Sequence, residues 1–164
     1  MNQRHPNKPC AGLEHIPTIL PVEGEVETSF EKLGFLPAAR GRPSKGMTIY
    51  APPGAPVCAT ADGTVKALRC CRPFGWYILI DHHNGLITKY THIGKITVRL
   101  NSRVTKGQVI GTLNNEANTK HHHSPLFASE LPREIVNECL HYEIWLHKTP
   151  VSPDFCLVAG SELH

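Results

Sequence analysis

Apolar and polar residues alternate with a period of two over several short runs of this chain, and turn-forming residues punctuate them. Glu25-Val-Glu-Thr-Ser-Phe30 is the first such run, and residues 31–45 read as a loop. Ala51-Pro-Pro-Gly-Ala-Pro56 marks a sharp turn, since proline fixes φ and Gly54 permits positive φ. Pro56-Val-Cys-Ala-Thr60 and Thr64-Val-Lys-Ala-Leu68 flank Asp62-Gly63, a spacing that predicts a hairpin. Gly75-Trp-Tyr-Ile-Leu-Ile-Asp81 reads as a buried strand. Asn84-Gly85 then joins it to Leu86-Ile-Thr-Lys-Tyr-Thr-His92, the strongest short-range hairpin signal in the chain. Val104-Thr-Lys-Gly-Gln-Val-Ile-Gly111 is a turn-and-strand unit, and Cys139-Leu-His-Tyr-Glu-Ile-Trp145 reads as a core strand. Trp76 and Trp145 are expected as packing residues. The pattern predicts a mainly β, compact antiparallel fold with little helix. Residues 1–24 form an extended N-terminal arm in this reading, 25–157 the domain, and 158–164 a tail. A polar segment at 114–138 interrupts the domain, with helical character at Pro132–Glu138 and apolar Leu126, Phe127 and Leu131 to dock with.

Composition narrows the function classes. The 164 residues are 40% hydrophobic and 19% charged, enough for one domain with a real core. A formal charge of +3, with scattered Lys and Arg, is not a nucleic-acid footprint. Apolar runs are strand-length, so no transmembrane helix is expected. Ile16-Pro-Thr-Ile-Leu20 is too short and proline-broken for a signal peptide core, which leaves two readings: a cytoplasmic chain, or one that begins after a removed export signal. The six Cys contain no CxxC, and adjacent Cys70 and Cys71 do not readily bridge; they read as free thiols, with disulfides an alternative in an exported protein. Among eleven His, His82 and His83 flank the Asn-Gly turn as exposed residues, and His121 to His123 read as a solvated loop.

Taken in order, these segments resemble the lysostaphin-type, or LytM-type, zinc endopeptidases. Ser44 through Val57 is similar to the family's H-x-G-x-D-(hydrophobic)-x-A-P-x-G-x-P-V opening, and Ala59-Thr-Ala-Asp-Gly-Thr-Val65 to its A-x-x-D/N-G-x-V turn. Ile80-Asp-His-His-Asn-Gly85 resembles I-D-H-x-N-G, Tyr90-Thr-His92-Ile resembles Y-x-H-L, and Val104–Gly111 resembles V-x-x-G-Q-x-I-G. Leu140-His141-Tyr-Glu143-Ile is similar to the end of H-L-H-F-E-(hydrophobic), and Val151-Ser-Pro153 to the closing V-x-P. The resemblance implies a duplicated hybrid motif fold: an antiparallel β-sheet groove.

It also implies a zinc site made by a His and an Asp from the opening motif and the second His of H-x-H. Here those positions hold Ser44, Thr48 and His141. Ser and Thr hydroxyls stay protonated near neutral pH and are poor zinc ligands. Of two assisting His positions, one is retained as His92 and the other is Cys139. Without zinc the activated water is lost, so no cofactor is expected at the family position. Cys139 and His141 are i, i+2 on a strand and share a face, and His92 belongs near them in this fold. Cys139, His141 and His92 therefore form an alternative, rewired zinc set. A thiol hydrolase with Cys139 as nucleophile and His92 as base has no further support. The plainer reading is a groove in which His92 and His141 are relics, Cys139 packs as a small hydrophobe, and Glu143 partners a polar neighbour.

The expectation is a catalytically inactive family member in the bacterial cell envelope, periplasm or extracellular space. Its groove would bind peptidoglycan or an envelope protein, as scaffold or hydrolase regulator. The alternative is an active zinc metalloendopeptidase that cleaves peptidoglycan cross-links through the rewired site. A lipoyl-type carrier module, suggested by Lys106–Gly111, lacks the lysine-bearing hairpin that attachment needs.

Overall fold

The computed structural model describes residues 13–28, 45–70, 75–114 and 139–153. Ser44, His121 to His123 and the segment 115–138, with its expected helix and docking residues, lie outside the described residues.

Ten strands and one single-turn 3-10 helix, Leu13–His15, make up the described elements: β1 (Glu25–Thr28), β2 (Met47–Tyr50), β3 (Pro56–Cys58), β4 (Gly63–Cys70), β5 (Trp76–Asp81), β6 (Leu86–Ile96), β7 (Arg103–Val104), β8 (Val109–Leu113), β9 (Cys139–Leu146) and β10 (Thr149–Val151). Every pairing is antiparallel, and the main path runs β1-β2-β9-β6-β5-β4-β7. β10 folds back on β9 through His147 and Lys148, both at positive φ (46° and 68°), as a type I′ turn requires.

The period-two alternation is realised as two faces. On β9, Leu140, Tyr142 and Ile144 are buried in one apolar cluster with Ile49, Ile78, Ile80 and Tyr90. Val57 of β3 and Ile110 of β8 close that cluster from the β3–β8 pair. Cys139, His141, Glu143 and Trp145 alternate with the core residues on the opposite face. Inside the core, Tyr90 and Tyr142 stack obliquely with centroids 5.3 Å apart. Their hydroxyls meet Thr60, whose Oγ1 lies 3.0 Å from the Tyr90 oxygen and 2.8 Å from that of Tyr142.

The Asn84-Gly85 hairpin forms between β5 and β6, with the His82 amide donating to Leu86 O at 3.0 Å. The Asp62-Gly63 hairpin does not. β3 pairs with β8, and β4 with β5 and β7. Residues 59–62 instead form a buried corner tied to distant segments. Asp62 Oδ1 accepts the Lys106 amide at 2.7 Å, the Asp62 amide donates to Glu14 O, and the Thr60 amide donates to the Tyr90 hydroxyl. These long-range bonds override the local turn signal. The N-terminal arm packs where it is described: Val22 is buried, and the Cys58 amide donates to Pro21 O at 2.7 Å.

Two further expectations are corrected. Trp76 is 38% exposed, because it opens β5 on the solvent side. His82 is fully buried rather than exposed: Nδ1 donates to Asp62 O at 2.7 Å and Nε2 lies 2.9 Å from Thr88 Oγ1. Burial pushes the His82 imidazole below its ordinary pKa, against the opposing pull of its bond to Asp62. His83 is exposed, as read.

Candidate functional site

The groove face is assembled by register. Across the ladders, Thr48 of β2 stands opposite His141 of β9, His141 opposite Thr91 of β6, and Thr91 opposite Tyr77 of β5. One step along, Glu143 pairs with Lys89. Gly46 sits where a side chain would collide with the backbone oxygen of Tyr142, so glycine lets the β2 entry lie flat against β9.

His92 reaches this face through a bulge. The β5–β6 register passes from Tyr77↔Thr91 to Trp76↔Ile93, leaving His92 as the extra residue on β6, at φ 72°. A left-handed conformation costs a non-glycine residue about 1–2 kcal/mol. The bulge places His92 Nδ1 3.6 Å from Cys139 Sγ. Burial first, then the neighbouring His141, pushes His92 down to a pKa of about 4, against an opposing bond to the Cys139 backbone. It is a neutral imidazole at physiological pH.

Glu143 is the hub of the row below. Its Oε1 lies 3.1 Å from His141 Nε2 and 3.7 Å from Lys89 Nζ, and its Oε2 accepts the Trp145 indole N–H at 2.6 Å. Burial opposes ionisation of Glu143, but the His141 bond, the Lys89 charge and the Trp145 bond outweigh it and hold the carboxyl below its ordinary range. Two ammonium groups flank the hub over aromatic rings: Lys45 Nζ is 5.3 Å from the Trp145 ring centroid and Lys89 Nζ 5.5 Å from that of Tyr77. Thr91 Oγ1 is buried on the same face with no hydrogen-bond partner among the described residues.

The structure thus sets His92 beside Cys139, His141 on Glu143, and Thr48 across from His141. Lys89, Tyr77 and Thr91 escaped the sequence reading because their place is fixed by pairing between strands far apart in sequence. Trp145 was read as packing; it is a hydrogen-bond donor to the hub. Cys58, Cys70 and Cys139 are free thiols.

Thr48 and His141 do not suit a catalytic zinc. The position opposite His141 offers a hydroxyl, and the His141 nitrogen nearest the hub is engaged by a carboxylate. Among the described residues, no three His, Cys, Asp or Glu side chains converge to hold a metal ion.

Known proteins place this fold. ShyA of Vibrio cholerae serotype O1, a peptidoglycan DD-endopeptidase, is 31% identical over 113 residues, which is 69% of this chain and 23% of that protein. A crystal structure of a zinc-containing peptidase from Vibrio cholerae matches with TM-score 0.63 and 27% identity, over 82% of this chain and 38% of that one. A chain of the SpoIIQ–SpoIIIAH pore-forming complex has the same fold at 20% identity, with TM-score 0.62 over 91% of this chain and 98% of that one. This chain spans less than a third of the length of relatives such as ShyA. The model of Peptidase family M23 matches residues 42–153, so the chain belongs to peptidase family M23.

Proposed function

We propose that this chain is an M23 domain whose groove binds and does not cut: it recognises peptidoglycan or an envelope protein, as scaffold or as regulator of a hydrolase in the bacterial cell envelope. The observation that carries this reading is the pairing of Thr48 with His141, which puts a hydroxyl where the family resemblance calls for an aspartate ligand. His141 is hydrogen-bonded to Glu143, a closed polar contact at the centre of the groove face. Lys45, Lys89, Tyr77 and Trp145 around it offer charge and aromatic surface for recognition. ShyA supports peptidoglycan as the ligand class. The SpoIIQ–SpoIIIAH complex supports a protein partner, since a chain of this fold serves there in an assembly.

A second reading rests on the 3.6 Å contact between Cys139 Sγ and His92 Nδ1. With His141 on the same face as Cys139, the three residues offer sulfur and nitrogen donors that would have to draw closer together to hold zinc, and through such a site the domain would be a working endopeptidase.

One experiment separates the two. Protein purified without a metal-affinity column is assayed for metal content, then incubated with purified sacculi while binding and released muropeptides are followed. Sacculus or partner binding without muropeptide release, and with substoichiometric zinc, fits the binding domain. Stoichiometric zinc that Cys139→Ser removes, together with released muropeptides, overturns it in favour of the second reading.

A further inference from the structure

Beyond the groove, separated from β9 by β6 and β5, a cleft of about 360 Å³ opens where β4 meets β7. That is the small end of the range for ligand pockets. Its walls come from four places: His15 of the arm, the Asp62–Thr64 corner, His83 of the β5–β6 turn, and Arg103 to Thr105. His15 lies outside the family match at 42–153, so this cleft is not simply a part of the shared groove.

The walls are held in place by named bonds. The arm docks through the Asn84 side-chain amide, which donates to His15 O at 3.0 Å, while His15 Nδ1 donates to Asp62 O at 3.3 Å. His83 is held at φ 62°, a conformation rare outside glycine, by its amide bond to Asp81 Oδ1 at 2.9 Å. Its Nε2 lies 2.8 Å from Thr64 Oγ1.

Arg103 is the cationic side chain of the cleft wall. Arg103 pairs with Thr64 across β4 and β7, is exposed, and has no ion pair among the described residues. Two imidazoles stand with it. The one carboxylate in the cleft wall, Asp62, has Oδ1 engaged by the Lys106 amide at 2.7 Å. Asp81, beside the cleft, uses Oδ1 to hold the His83 amide. A metal ion does not suit the cleft, because no three ligating side chains converge there.

We propose that this cleft binds an oxyanion, the phosphate or terminal carboxylate of a small solute or peptide. Arg103 supplies the charge and a planar fork of donors matched to two oxygens, and Thr105 and one member of the bonded pair Thr64 and His83 supply further hydrogen bonds. The arm completes the cleft, so occupancy would fasten residues 13–15 to the domain.

The test is a titration of the full chain at constant pH and ionic strength, followed by NMR signals of the histidine rings. The probes are inorganic phosphate, glycylglycine with its free carboxylate, and glycylglycinamide as the control without one. Saturable shifts of His15 and His83 with phosphate or glycylglycine, and none with glycylglycinamide, are expected. A response to phosphate alone assigns a phosphate ligand, and one to glycylglycine alone assigns a chain terminus. Arg103→Gln weakens binding at least about tenfold, the loss of one charge-assisted contact, with an unchanged melting temperature in the absence of ligand. His83→Asn, which tolerates positive φ, weakens it as well. Shifts that do not saturate with any probe, or equal affinity in a folded Arg103→Gln, overturn the proposal.

Discussion

Thr48 and His141 face each other across the β2–β9 ladder, so one hydroxyl and one imidazole share the place that the family resemblance gives to two zinc ligands. Because the backbone that presents them is an ordinary antiparallel pair, the change lies in side chains and is open to repair.

Restoring the ligand set restores metal binding. Thr48→Asp with Ser44→His puts a carboxylate beside His141, and Cys139→His completes the family pattern. Competition with a chelator is expected to show zinc affinity raised at least about tenfold over the starting protein, a margin that outer-shell partners alone can command. An unchanged affinity in a folded triple variant would mean that the groove itself has diverged.

The bulge at His92 makes a prediction about stability. His92→Ala keeps the left-handed strain and loses the contact with Cys139, whereas His92→Gly loses the contact and relieves the strain. The glycine variant is therefore expected to be the more stable of the two by about 1 kcal/mol, read from urea unfolding. Equal stabilities would show that the backbone at this position relaxes out of positive φ.

Buried His82 links stability to pH. Its folded pKa lies below the unfolded value of about 6.5, so both states are neutral above that pH and the contribution is complete there. Below it the unfolded chain takes up a proton first, and stability falls until the folded pKa is reached. Unfolding midpoints are expected to drop as pH is lowered from 7.5 towards 5, and His82→Asn to show a smaller drop. His92, with its pKa near 4, keeps part of the slope in that variant. An equal slope in both proteins would remove His82 as a source.

Strand-length apolar patterns between turn residues marked β4, β5, β6 and β9 in the sequence, because a strand with a buried face writes its geometry locally. The i, i+2 spacing likewise put Cys139, His141 and Glu143 on one face, and the motif series carried the family. What lay across from them did not show. The Glu143 hub joins Lys89 to His141 and Trp145 through a register between strands far apart in sequence, and no local pattern encodes register at that range. His92 reaches Cys139 only because a bulge turns it out of the β6 alternation. The Asp62-Gly63 signal failed and His82 was misplaced for the same reason: the corner at 59–62 answers to Glu14, Tyr90 and Lys106, and closing it buries the His82 ring. Away from the bulges, sequence determined which side of its own strand a residue faces; the tertiary structure decided what each face meets, because those partners are brought together only by long-range pairing.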